Sequence, residues 1–117
     1  MGGKMSRSKG QRGEFETRDF FRQWWPLAER GANQSRSGSE AADIEGVPFW
    51  VESKLGAKPN VRGALAQAEA ATDGRPVLCR IRDDRKGAFY VVPESTMVLL
   101  INCWCELDKP QTWGTRQ

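Results

Sequence analysis

The 117-residue chain reads as one α/β domain in which helices flank a β-sheet. Three observations lead there: an aromatic stripe at helical spacing near the N-terminus, strand-turn-strand patterns at 42–55 and 76–92, and an alanine-rich helical stretch between them. A chain this long builds one core and not two, so an active site must share that core or lie at a subunit interface. Residues counted as hydrophobic are only 38% of the chain, but five Trp and five Phe supply large buried areas each.

Residues 1–12 carry Lys4, Arg7, Lys9, Arg12 and three glycines without an acid, which reads as a flexible basic arm. From about Gln11 to Trp25 the spacing predicts a helix, with Phe20, Phe21, Trp24 and Trp25 on one face and Pro26 as a stop or kink. At ~100° per residue Glu14 falls within the aromatic arc, whereas Glu16 points well away from it. Glu14 therefore either turns inward or, as a first-turn acid, only complements the helix dipole. Residues 31–40, rich in Gly and Ser, are either a mobile loop or a short strand around Asn33–Arg36. Arg36 is then a solvated loop residue or, leading into an acidic hairpin, a phosphate contact.

Residues 42–45, a turn at Gly46–Pro48 and the run Phe49–Leu55 predict a hairpin. The two-residue period puts Trp50, Glu52 and Lys54 on one face and Phe49, Val51, Ser53 and Leu55 on the other. With the turn centred on Gly46-Val47, Asp43 sits opposite Trp50 and diagonal to Glu52, roughly 5 to 8 Å away; a slip of one residue breaks this.

Asn60 suits the N-cap of a helix to about Ala71, closed by Asp73-Gly74. Val61, Ala64, Leu65 and Ala68 form its apolar stripe, and Gly63, Ala66 and Ala70 make the far side small enough for a partner subunit, though small residues need none. Gln67, on the flank, is either a surface residue or one that reaches a strand end. Pro76–Arg82 and Ala88–Val92 predict a second hairpin, with Arg80 and Arg82 facing DNA or forming the solvent side of an edge strand. Pro93-Glu94 opens a short apolar helix to Ile101, expected as a lid over the core, and residues 102–117 form a tail without a clear period.

Charge is uneven. Of 18 Lys/Arg and 15 Asp/Glu, residues 1–36 hold eight and four, leaving ten and eleven for the remainder. The basic third suits phosphates or simply solubility. No apolar run approaches the roughly 20 residues that span a bilayer, and no signal-peptide centre is present, so a cytoplasmic location without membrane contact is expected. Cys79, Cys103 and Cys105 read as reduced thiols. The chain has no histidine, which excludes His-containing zinc sites and Ser-His or Cys-His pairs. A hydrolase built from this sequence has to activate water with a metal, a carboxylate or a lysine.

Glu14, Asp43, Glu52 and Lys54 converge if the first helix packs its aromatic face on the sheet. Carboxylates a few ångströms apart repel, so such a cluster makes sense chiefly around a hard cation such as Mg²⁺, with Mn²⁺ as a substitute. Lys54 can then hold an attacking water or stabilise charge on a phosphate. The ordered set of helix-borne acid, Asp, turn, Glu-x-Lys and Gln-bearing helix resembles the PD-(D/E)XK nuclease superfamily. Within it, Lys9-Gly10 ahead of Glu14 and Arg36-Ser37 ahead of Asp43 are similar to archaeal-type and phage Holliday junction resolvases. The likeness spans residues 9–92.

This resemblance implies a restriction-endonuclease-like domain at 13–101 with a mixed central sheet in the order αβββαββ. It implies a metal-dependent, homodimeric DNA endonuclease acting on junctions, in the host cytoplasm if phage-encoded. Asp43 and Glu52 become metal ligands, Lys54 the catalytic lysine, Glu14 an accessory acid at the metal, and Gln67 a support for the site. Arg36 becomes a phosphate contact, and apart from the resemblance Lys9 and Arg12 of the basic arm are expected to grip the DNA backbone. Ala42 in place of proline before Asp43, Phe15 where such resolvases often carry a basic residue, and the short hairpin are departures. Other readings are a restriction-like or repair nuclease on duplex or flap DNA, a non-catalytic DNA-binding domain, and a structural domain in which Glu52 and Lys54 form an ordinary strand-face ion pair.

Overall fold

In the computed structural model, residues 2–31 and 41–107 are described, with side chains from Lys9 onward. The chain runs α1 (Gly2–Phe21), β1 (Glu29–Arg30), β2 (Ile44–Glu45), β3 (Trp50–Gly56), α2 (Val61–Ala71), β4 (Val77–Asp83), β5 (Ala88–Val91) and α3 (Glu94–Leu107). The strands form one sheet in sequence order. Only β3 and β4 are parallel, joined by the α2 crossover; the other neighbours are antiparallel. The result is a five-stranded mixed sheet with three helices, in the order αβββαββα.

Two apolar clusters sandwich the sheet. Trp50, Val77, Cys79 and Ile81 pack with Ala64 and Ala68 of α2, while Val51, Ile44 and Leu78 pack with Phe21 of α1. Alternate residues of β3 thus serve opposite faces, as the two-residue period requires. Helix α2 matches its expected bounds because its signals are local: the Asn60 side chain accepts from the Gly63 N–H at 2.9 Å.

Helix α1 begins at Gly2, so residues 2–12 continue the helix instead of forming a flexible arm. Once the docked half is fixed, each further residue adds a hydrogen bond at small entropic cost. Its end also differs, since Phe21 is the last helical residue and Trp24 and Trp25 follow in a tight turn whose N–H groups donate to the Phe21 carbonyl at 3.0 and 2.9 Å.

The line of contact between α1 and the sheet runs through Gly13 and Thr17. A Cβ on Gly13 would stand 3.0 Å from that of Leu55, so glycine lets the helix approach β3 closely. Thr17, fully buried, donates to the Gly13 carbonyl at 2.7 Å and shares a 2.9 Å hydrogen bond with Ser53 Oγ. Because this line, and not the aromatics alone, sets the inner face, Glu14 and Glu16 flank it on opposite sides. Glu16 does not point away from the sheet. It accepts hydrogen bonds from Arg80 and Arg82 of β4, and these pairs hold its carboxyl below the usual range against the opposing effect of burial. Arg80 and Arg82 therefore neither face DNA freely nor lie on an edge, since β4 is interior and β5 is the edge strand. Replacing Thr17 with valine keeps the shape but removes the hydroxyl from Ser53. A loss of about 1–2 kcal/mol in urea unfolding is expected.

Helix α3 is longer than the expected helix to Ile101 and takes in residues 102–107 of the expected tail. Nor is it a lid, for among its residues only Thr96 is buried, donating to the Val77 carbonyl at 2.9 Å. No helix among the described residues is long and apolar enough to cross a membrane.

Candidate functional site

The first hairpin has a register two residues removed from the expected one. Ile44 pairs with Val51, where Phe49 was expected, and just ahead of the strand the Asp43 N–H also donates to the Val51 carbonyl. The side chains of Asp43 and Glu52 still meet, near enough for a hydrogen bond between them. The turn is wider because Arg75 fastens it from outside, donating to the Val47 and Phe49 carbonyls, pairing with Glu45 at 3.2 Å and lying over the Trp50 ring.

Asp43 is held by backbone on three sides. Its N–H donates to the Val51 carbonyl at 2.9 Å, its carbonyl accepts from the Gly31 N–H at 2.8 Å, and its Oδ2 accepts from the Ser53 N–H at 2.8 Å. The carboxylate thus takes a place in the ladder, which lets it be buried with a donor in hand. A Cβ at Gly31 would collide with the Ala42 carbonyl, so the close passage of the chain at that point depends on glycine.

Glu52 is 4% exposed and Asp43 8%. Burial pushes the Glu52 carboxyl up to about 7, the charge of Asp43 and a hydrogen bond with it push the same way, and Lys54 opposes. The Trp50 indole is near enough to weigh on Glu52, yet its N–H forms no hydrogen bond of ordinary geometry. Behind Glu52, Cys79 is its register partner on β4. Burial first, then the Glu52 charge, pushes that thiol up to about 12, so Cys79 is an inert filler and not a nucleophile.

Lys54 is half-buried, and its charge reaches Glu14, Glu52 and Cys79. Glu14 does turn inward: burial raises its carboxyl, and Asp43 contributes in the same direction. Its charge is already answered by Arg30 of β1, whose Nε and Nη2 donate to one Glu14 oxygen at 2.9 and 2.8 Å. Among the described residues no three Asp, Glu or Cys groups gather closely enough to hold a metal ion. The expected three-acid set is thus reduced to the Asp43–Glu52 pair, with Glu14 beside it and bound to Arg30.

Of the other expected residues, Gln67 is exposed on α2 and joins no hydrogen bond to the acids. Lys9 is bound to Asp84 at 2.8 Å, so a phosphate has to compete for it. Arg12 is exposed. Arg36 and Ser37 lie outside the described residues. Sequence reasoning missed Arg30, Arg75, Gly31 and Thr17. Arg30 follows the expected helix stop at Pro26 and carries no local mark; only the approach of β1 to α1 gives it a role.

The Asp43–Glu52 pair suits a divalent ion on its own chemistry. Two buried oxygen donors face each other, one of them disfavoured as an anion by burial and by the other, and Mg²⁺ commonly binds one or two carboxylates while keeping several waters. Comparison with models of known protein families, with curated proteins and with solved structures gives no match.

Proposed function

We propose that this chain is a metal-dependent DNA endonuclease of PD-(D/E)XK type with a restriction-endonuclease-like fold, acting on branched DNA as a Holliday junction resolvase does. The observation that supports it most is the meeting of two buried carboxyl groups, from Asp43 and Glu52, with Lys54 two residues along the same strand face. A purely structural domain has little use for such a pair, because burying mutually repelling acids destabilises the fold.

In this reading Asp43 and Glu52 hold the ion, and Mg²⁺ when bound supplies charge to a phosphodiester and acidifies water. Asp43 is kept in place by the Ser53 N–H, which fixes the direction of its carboxylate. Ser53 is in turn fixed by Thr17, which couples the strand to α1. Lys54 donates hydrogen bonds to the attacking water or to the non-bridging oxygens as charge builds on them. Glu14 restrains Arg30 beside the site, and the exposed Arg12 is available to the DNA backbone.

The test is incubation of the protein with a four-way junction, a flap and a linear duplex of matched length, with Mg²⁺ or Mn²⁺. Metal-dependent cleavage, fastest on the junction and abolished by EDTA, is expected. Faster cutting of flap or duplex would move the substrate to the restriction-like or repair class. Intact DNA in all three with either ion contradicts the nuclease reading.

A further inference from the structure

Trp50 carries a hydrogen-bond donor into the core, where the side chains packed around it offer almost no acceptor. It is 3% exposed, and its indole N–H has no hydrogen-bond partner. Buried indoles ordinarily find one, and a phenylalanine would fill an apolar site without stranding a donor. The surroundings limit what the partner can be. Ala64, Ala68, Val77 and Ile81 of the same cluster have no side-chain acceptor and Cys79 is at most a weak one. Arg75, whose guanidinium carbon lies 5.3 Å from the centre of the Trp50 ring, can only donate. Glu52 remains. It stands two residues along β3 on the same strand face, is itself buried, and lies near enough for the indole to favour its charged form.

We infer that Trp50 is a positioning residue for the proposed ion-binding pair: its indole N–H donates to Glu52 when that carboxylate and Asp43 hold a divalent ion. The inference rests on the metal reading above. A carboxylate that gives one lone pair to an ion has others to satisfy, and a buried N–H on the same strand face can take one of them without admitting water. The bond is charge-assisted, so it is stronger to the anion that ion binding requires than to a protonated Glu52. The ring is also held from the other side. Arg75 lies over it while donating to the Val47 and Phe49 carbonyls of the turn that leads into β3. Trp50 thus ties the shape of the first hairpin to the direction of the Glu52 carboxylate.

The test is proton–nitrogen NMR of the isotope-labelled full chain during addition of Mg²⁺, alongside titration calorimetry of Trp50→Phe. Neither readout depends on DNA or on cleavage. The Trp50 indole resonance, assigned in the wild type through its own side-chain correlations, is expected to move downfield and to exchange more slowly with solvent as Mg²⁺ saturates. Phenylalanine keeps an aromatic ring beneath Arg75 and removes the donor, so Trp50→Phe should bind Mg²⁺ about 10–100-fold more weakly. A tryptophan with a packing role only would change Tm in that variant, but neither the wild-type resonance nor the affinity of the folded protein. If Trp50→Phe fails to fold, the wild-type resonance decides alone. Saturable Mg²⁺ binding with an unmoved Trp50 resonance, or wild-type affinity in folded Trp50→Phe, overturns the inference and leaves the metal site standing. No binding of Mg²⁺ or Mn²⁺ by the wild type removes the metal reading and the inference with it.

Discussion

Replacing Glu52 with glutamine is expected to stabilise the protein at pH 8 without divalent ions, by up to about 3 kcal/mol or on the order of 10 °C in Tm. The sign follows from where the proton sits. The folded-state carboxyl is raised to about 7, above its ordinary 4.5, chiefly by burial and then by Asp43. Between those values the folded protein holds a proton that the unfolded chain has released. Glu52 therefore contributes stability that is fully present below pH 4.5 and is lost as pH rises through about 7. Glutamine keeps the shape and stays neutral, so the variant's advantage should be small at pH 4.5, grow through pH 7 and then level off. Thermal unfolding of both proteins across that range in EDTA measures it. A variant less stable than wild type at pH 8 would show that the Glu52 anion is well compensated in the fold.

Lys54→Ala should lower metal-dependent cleavage by about 10²–10³-fold while leaving DNA binding unchanged. The ammonium acts on charge that develops during the reaction, whereas affinity for the duplex comes from phosphate contacts spread over other cations. Removing Lys54 also takes away a positive charge near Glu52, so divalent binding should be kept or tightened. Single-turnover cleavage alongside a binding assay separates these effects. Cutting at the wild-type rate would remove Lys54 from the chemistry. Equal losses of binding and cleavage would make it a DNA contact only.

What the sequence made legible was mostly local. Asn60 as a cap, the turn residues of both hairpins and the alternation along β3 depend on neighbours a few residues away, and α2, β3, β4 and β5 stand close to where these signals put them. The pairing of Ile44 lies two residues from the expected register, yet Asp43 and Glu52 still meet. The misses are long-range. The inner face of α1 was drawn through its aromatics, but Gly13 and Thr17 against Ser53 and Leu55 place it, which turns Glu16 onto Arg80 and Arg82. Arg30 reaches Glu14 across sixteen residues, and neither residue marks the other in sequence. Strand β1, at Glu29–Arg30, is two residues long and has no period to detect. The apolar run of α3 suggests a lid, but of that helix only Thr96 is buried among the described residues.

The most direct measurement is titration calorimetry of Mg²⁺ and Mn²⁺ into the metal-free protein at pH 7.5, with Asp43→Asn alongside. Saturable binding by the wild type, lost in Asp43→Asn while that variant remains folded, is the expected result. No heat of binding from the wild type with either ion, or equal binding by Asp43→Asn, would contradict a metal site at Asp43 and Glu52.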